Sequence, residues 1–186
     1  MKPSPVFAVV GHPNKGKSSV VATLSQNDAI AIALEPGTTR AHQAYPLSVD
    51  GRTLYTLVDT PGFQRPRRVL QWLEAHSLSA SDHPDTVRAF VLQHQGDDRY
   101  IDECELLAPI IEGAGIIYVV DGSVPYSAEH EAEMTILRWS GRPSLALINS
   151  IGADDYSDTW QSALGQFFQV VRKFDAVRAP FEQHLS

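Results

Sequence analysis

Gly11-His12-Pro13-Asn14-Lys15-Gly16-Lys17-Ser18 decides how this chain is read. Its spacing is that of a phosphate-binding loop, two glycines with four residues between them followed by Lys-Ser. The neighbouring sequence gives the spacing its context. Val6-Phe7-Ala8-Val9-Val10 is a short apolar run of the kind a buried parallel strand carries. Ser19-Val20-Val21-Ala22-Thr23-Leu24 reads as the first turns of a helix reaching Leu24 or Ser25. In such a unit the loop's N–H groups wrap a phosphate and the helix N-terminus adds its positive dipole end. Lys17 can reach the outer phosphates, and the Ser18 hydroxyl can ligate Mg²⁺. The competing reading, a chance Gly/Lys loop, loses weight against the motifs downstream.

A chain of 186 residues suits one domain with a sizeable core. A hydrophobic content of 43% and charged content of 20% are ordinary for a soluble globular protein. A net charge of −7 argues against broad nucleic-acid binding driven by phosphate attraction. One cysteine, Cys104, rules out an intrachain disulfide and fits a reducing compartment. No apolar run reaches transmembrane length and Met1-Lys2-Pro3-Ser4-Pro5 has no signal-peptide core, so the expectation is a cytoplasmic chain.

Glu35-Pro36-Gly37-Thr38-Thr39-Arg40 is denied regular structure by Pro and Gly. Runs at 45–49 and 53–58 flank Asp50-Gly51, a strong hairpin signal, so the second and third strands are expected to pair antiparallel. The third ends at Asp59-Thr60-Pro61-Gly62. Helices are expected at 67–76, 84–94 and 98–112, with Pro109 kinking or shortening the last, and a polar loop at 77–83. A buried strand follows at 116–121. A helix at 127–139 takes Ser127 as N-cap and ends at Gly141, and a strand spans 144–149. A helix at 157–166 takes Ser157 as N-cap, and 170–174 forms a last strand. Strands alternating with helices imply a doubly wound α/β sheet, mainly parallel and six-stranded with one antiparallel edge strand.

Together these elements resemble the P-loop GTPases of the translation-factor class, especially the Era and TrmE group. Gly11-x-Pro13-Asn14-x-Gly16-Lys17-Ser18 looks like that group's phosphate loop, Pro36-Gly37-Thr38-Thr39-Arg40 its first switch, and Asp59-Thr60-Pro61-Gly62 its second. The resemblance covers residues 6 to 178 and implies a three-layer P-loop fold. It places one domain at 1–178, with 179–186 a tail or the start of a linker. Gly141-Arg142-Pro143, Leu147-Ile148-Asn149 and Phe174-Asp175-Ala176-Val177 are similar to a narrower bacterial set with an uncharacterised C-terminal domain. That likeness implies the N-terminal part of a longer protein.

The resemblance implies GTP and GDP as ligands, Mg²⁺ as cofactor and slow GTP hydrolysis as activity. The implied nucleotide contacts are His12, Pro13, Asn14, Lys15, Gly16, Lys17, Ser18, Ser19, Thr38, Thr39, Asp59, Gly62 and Asn149. Lys17, Thr39, Asn14 and Gly62 carry the catalytic roles: charge neutralisation, metal ligation, cation binding and γ-phosphate sensing. Ser18, Thr39 and Asp59 hold the metal, with Thr38 as the alternative to Thr39 and Asp59 acting through water. Thr38 and Thr39 as plain loop hydroxyls, and Asp59 as a turn former, are the plainer readings.

Three places depart from the family pattern. Phe63 follows Gly62 where Ras-like proteins have a catalytic glutamine, and an aromatic ring cannot orient water by hydrogen bonding. Asn14 suggests a substitute, because the equivalent asparagine in the TrmE-like group binds K⁺ beside the phosphates. K⁺-stimulated hydrolysis is therefore expected. The base reader, normally Asn-Lys-x-Asp, is Asn149-Ser150-Ile151-Gly152, with Asp154 and Asp155 just beyond. Without a buried carboxylate, discrimination against adenine should weaken. Phe174-Asp175-Ala176 departs likewise from the base loop. Arg65-Pro66-Arg67-Arg68 reads first as a solvated helix start. The scattered His42, His76, His83, His94 and His130 lack zinc-ligand spacing with cysteines. Cys104 and the tryptophans Trp72, Trp139 and Trp160 read as packing residues.

The function expected is a GTP-hydrolysing switch whose moving segments, 35–40 and 59–68, meet a protein partner. Two alternatives stand beside it: a nucleotide-binding interaction module without hydrolysis, and an NTPase of relaxed base preference. No acceptor site points to a small-molecule kinase. The helical stretch after the second switch is longer than a simple GTPase needs, and its first part is expected to reorganise with nucleotide state.

Overall fold

The computed structural model describes residues 3–13, 16–24, 41–150 and 152–174. The expectations for Asn14, Lys15, Thr38, Thr39 and residues 175–186 lie outside that set. In chain order the elements are β1 (Val6–Val10), α1 (Lys17–Leu24), β2 (Gln43–Val49), β3 (Arg52–Asp59), α2 (Pro66–His76), α3 (His83–His94), α4 (Ile101–Ile111), β4 (Gly115–Asp121), α5 (Ala128–Trp139), β5 (Ser144–Asn149), α6 (Ser157–Leu164) and β6 (Val171–Phe174).

The sheet order is β2-β3-β1-β4-β5-β6. Among the described residues only β2 and β3 pair antiparallel, and β1 lies between its parallel neighbours β3 and β4. This is the expected topology. The β2–β3 turn places Asp50 at φ 49° and Gly51 at φ 75°, the two left-handed residues of a tight hairpin that Asp-Gly supplies.

Alternation along the strands builds two cores. Ala8 and Val10, Ile116, Tyr118 and Val120, and Ala146 and Ile148 face one side. There they pack with Phe63 from the connection before α2 and with Val69, Leu73, Phe90, Leu106, Leu107, Ile110, Met134 and Trp160 from the helices. Val9, Leu57, Ile117, Val119 and Leu147 face the other, against Val20 and Val21 of α1. Every residue of β4 is buried, as a central strand covered on both faces requires.

The helix ends refine the sequence reading. Pro109 lies inside α4, which continues two residues past it to Ile111, so the proline does not end the helix at once. Ser127 occupies the N-cap position of α5, but its hydroxyl pairs with the His130 ring at 2.8 Å instead of a backbone N–H. Ser157 is the first residue of α6; the acceptor for its N–H is Asp155 Oδ1 at 2.8 Å. The 77–83 connection contains a single 3₁₀ turn, Ala80–Asp82, and His83 already belongs to α3. Trp160 is fully buried, while Trp72 and Trp139 pack at the core's edge, Trp139 stacked on His83 at 3.5 Å. Cys104 is buried, and burial pushes its thiol up to about 11, which leaves it an inert packing residue.

Candidate nucleotide-binding site

The C-terminal ends of β1, β3, β4 and β5 open on one edge of the sheet, the place where open α/β sheets bind ligands. Gly11 leaves β1 at φ 150°, and a Cβ there would stand 2.3 Å from the Val119 carbonyl oxygen. Only glycine lets the loop turn out so close to β4. Gly16 then leads into α1, whose first residue is Lys17.

Lys17 is 8% exposed, and its Nζ donates to the His12 carbonyl at 3.0 Å. Burial lowers the pKa of its ammonium, and the charges of Asp59 and Glu133 pull the other way. The loop thus holds a buried cation curled beneath its own backbone, where added negative charge would be favoured. One residue on, Ser18 Oγ donates to Asp59 Oδ2 at 2.9 Å. Asp59 ends β3 fully buried, opposite Val9 in register. Sequence places these residues 41 positions apart, and the β1–β3 pairing brings them together. A hydroxyl and a carboxylate at this separation are the hard oxygen donors that Mg²⁺ takes, so the residues present fit that ion.

Thr60 Oγ1 donates to the Val9 carbonyl at 2.8 Å and fixes the chain as it leaves β3. Gly62 lies against the phosphate loop: a Cβ on it would be 2.5 Å from the Pro13 nitrogen. Phe63 N–H donates to the Gly11 carbonyl at 3.3 Å, and its ring is fully buried in the helical-side core. The ring is therefore turned away from the phosphate edge altogether. Gln64 is exposed, with its amide nitrogen 3.5 Å from the Gly62 carbonyl.

His12 directs its ring away from the loop's mouth. Its Nδ1 lies 2.7 Å from Glu133 Oε1 on α5, and Tyr118 O–H donates to Glu133 Oε2 at 2.6 Å. Glu133 is fully buried. Burial, then the Glu133 carboxylate, push the Tyr118 phenol well up, so it stays a donor. Sequence reasoning missed this carboxylate beneath the loop. The available signal was a Glu set among the apolar residues Ala132, Met134, Ile136 and Leu137, all buried, which a solvated face would not place there.

The opposite end of the crevice is differently made. Asn149 is buried at the end of β5, beside Asp121 in register, and its carbonyl receives Gly122 N–H at 2.9 Å. Asp121 Oδ1 receives the N–H of Ser123 at 2.9 Å and its hydroxyl at 2.5 Å, fixing the turn after β4. Gly152 packs on Ser123; a Cβ there would meet the serine Oγ at 2.7 Å. Asp155 caps α6, and its hydrogen bonds to Ser157 lower its pKa. Asp154 is exposed. Arg65, Arg67 and Arg68 are exposed at the start of α2, as a solvated helix start requires. Arg65 is tied to the Arg99 carbonyl at 2.9 Å.

A strand, a glycine-edged loop, a buried lysine at a helix start and a Ser–Asp pair joining that helix start to the end of the neighbouring strand define a P-loop nucleoside-triphosphate-binding domain. The chain belongs to the family described as 50S ribosome-binding GTPase, which matches residues 6–150. It is similar to GTPase Der of Mycoplasma pneumoniae, 40% identical over 143 residues, covering 77% of this chain and 26% of that protein. GTPase Der of Paenarthrobacter aurescens is 27% identical over 163 residues, covering 88% and 27%. The chain thus spans roughly a quarter of the length of these curated relatives. Among solved structures it resembles Era bound to MgGDPNP and a segment of 16S ribosomal RNA (TM-score 0.63, 16% identity, 98% of this chain and 54% of that one). An Aquifex aeolicus Era variant bound to GDP and aluminium fluoride gives a TM-score of 0.60 at 17% identity, covering 97% and 54%. These likenesses carry the six-stranded fold. No helix among the described residues is long and apolar enough to cross a membrane.

Proposed function

We propose that the chain is the GTP-binding, GTP-hydrolysing domain of a molecular switch. The observation that carries this is the Ser18–Asp59 pair at 2.9 Å beside the buried Lys17, inside the cradle that Gly11 and Gly62 keep open. Lys17 and the loop amides neutralise the outer phosphates. Ser18, Asp59 and Thr39 hold Mg²⁺, which when bound supplies further charge neutralisation and alignment of the phosphates. Gly62 N–H senses the γ-phosphate, and the lack of a side chain lets Gly62 lie against Pro13 of the loop. Segments 35–40 and 59–68 present the nucleotide state to a protein partner.

Turnover is slow. No glutamine follows Gly62, Phe63 is buried, and the Gln64 side chain faces its own backbone, so no side chain from this segment orients water. Asn14 binds K⁺ in place of that help, and phosphate release should be faster in K⁺ than in Na⁺. Equal rates would remove this role. The same burial of Phe63 favours a second reading, an interaction module that binds nucleotide without turning it over. Multiple-turnover phosphate release would reject it.

The base end lacks a carboxylate at residue 152, and Asp155 is already committed to α6. Guanine preference is therefore modest, resting on Asn149 and the surrounding backbone. Competition of GTP against ATP for the purified chain tests the assignment directly. Tighter binding of GTP by even a few fold sustains the GTPase reading, and equal binding transfers the chain to NTPases of relaxed base preference.

A further inference from the structure

Two carboxylates near the start of α4 reach two different segments that border the phosphate edge. Glu103 is 1% exposed, and its Oε1 receives the backbone N–H of Gln64 at 3.0 Å and of Arg65 at 2.6 Å. Arg65 is the N-cap residue of α2 and makes no side-chain cap, and Pro66 behind it has no N–H. Glu103 therefore supplies from another helix the acceptor and negative charge that the α2 N-terminus lacks. Burial pushes its carboxyl up, against the pull of the Arg65 and Gln64 N–H groups. Two residues on, Glu105 Oε2 lies 2.8 Å from His42 Nδ1 and receives the His42 N–H at 3.3 Å. His42 comes just before β2, whose first residue Gln43 is paired with Asp59.

The anchor for both is firm, because Leu106, Leu107 and Ile110 of α4 are fully buried. The segment they hold is gripped from the other side as well, by Phe63 N–H on the Gly11 carbonyl and by Gly62 packed on Pro13. Gly62 to Arg65 is thus clamped between the phosphate loop and α4.

We propose that α4 is a built-in reader of the triphosphate state: Glu103, aided by Glu105, seats residues 62–65 against the phosphate loop and links to them the chain entering β2, favouring bound triphosphate over diphosphate. This rests on the GTP-switch reading above. Glu103 and Glu105 act as positioning residues, since neither faces the phosphates. Gly62 N–H meets a γ-phosphate only while the segment is seated, and a diphosphate gains nothing from the seating. A clamp on one side of that equilibrium changes the affinity ratio of the two ligands.

The test measures GDP and GTPγS binding to the full chain and to Glu103→Ala, Glu103→Gln and Glu105→Gln. A lost charge-assisted bond to two N–H groups should weaken GTPγS by about tenfold. GDP should stay within about twofold in the same variant. Glu103→Gln keeps a carbonyl acceptor and should fall between, and the half-exposed Glu105 should matter by about twofold. Amide exchange at Gln64 and Arg65 in the unmodified chain should be slower with GTPγS than with GDP. Equal weakening of both ligands, or identical exchange with both, would reduce Glu103 to structural support and overturn the proposal. Should Glu103→Ala fail to fold, the exchange experiment decides. An unmodified chain that binds neither nucleotide overturns the switch reading and this inference together; one that binds both, with a ratio no variant alters, overturns the inference alone.

Discussion

The phosphate end and the base end of the crevice are built on different plans. At the phosphate end three buried ionisable groups, Lys17, Asp59 and Glu133, are brought together by α1, β3 and α5, and glycines 11 and 62 let backbone approach closely there. Charges this buried persist only when each answers another, so the arrangement is specific and expensive to alter. At the base end the polar groups serve the protein itself: Asp121 holds Ser123, and Asp155 holds Ser157. On the proposed GTP reading, binding strength would rest on the electrostatics of the first end, and base choice would be left open by the second.

That contrast can be broken at three points. The largest effect belongs to Lys17→Ala, which should lower phosphate-release turnover by about 10²–10³-fold, the scale set by removing one preorganised donor. A steady-state phosphate assay checks it, and turnover within threefold of the unmodified chain would show that the buried ammonium is not the phosphate partner. Next comes Glu133→Leu. An aliphatic side chain accepts from neither His12 nor Tyr118, so the buried Tyr118 O–H is stranded at a cost of about 1–3 kcal/mol. Thermal unfolding should fall by several degrees, with nucleotide affinity falling alongside because the loop's His12 loses its seat. An unchanged melting temperature would mean that the carboxylate is not what supports the loop. The smallest effect should come at the open end. Gly152→Asp, paired with Ser123→Gly to clear the 2.7 Å contact, restores a base-facing carboxylate. GTP should then be preferred over ATP by about tenfold more than in the parent chain. A ratio that does not move would place the base elsewhere than beside residue 152.

Much of this could be read before any tertiary contact was known. Apolar run, glycine loop and helix start predicted β1, the loop and α1. Asp50-Gly51 predicted the hairpin, and the alternation of strands and helices predicted the doubly wound sheet. Helix ends were read less well: Ser127 and Ser157 have the chemistry of caps, but Ser127 spends its hydroxyl on His130 and Ser157 lies one residue inside α6. Phe63 was read for what it lacks, a hydrogen-bonding group. The fold adds that its ring is removed from the site entirely.

The sequence by itself determined the class of chemistry. The glycine spacing, Lys17-Ser18 and Asp59-Thr60-Pro61-Gly62 are local signals whose geometry follows from backbone sterics over a few residues, and such signals need no partner to be legible. The tertiary structure alone decided which distant groups serve the site. Glu133 under His12, Glu103 on the amides of Gln64 and Arg65, and Glu105 on His42 join residues 121, 39, 38 and 63 positions apart. A carboxylate on a helix carries no mark in sequence of the N–H it will meet. Its meaning is set by which helix packs where, and that is fixed by the apolar faces around it.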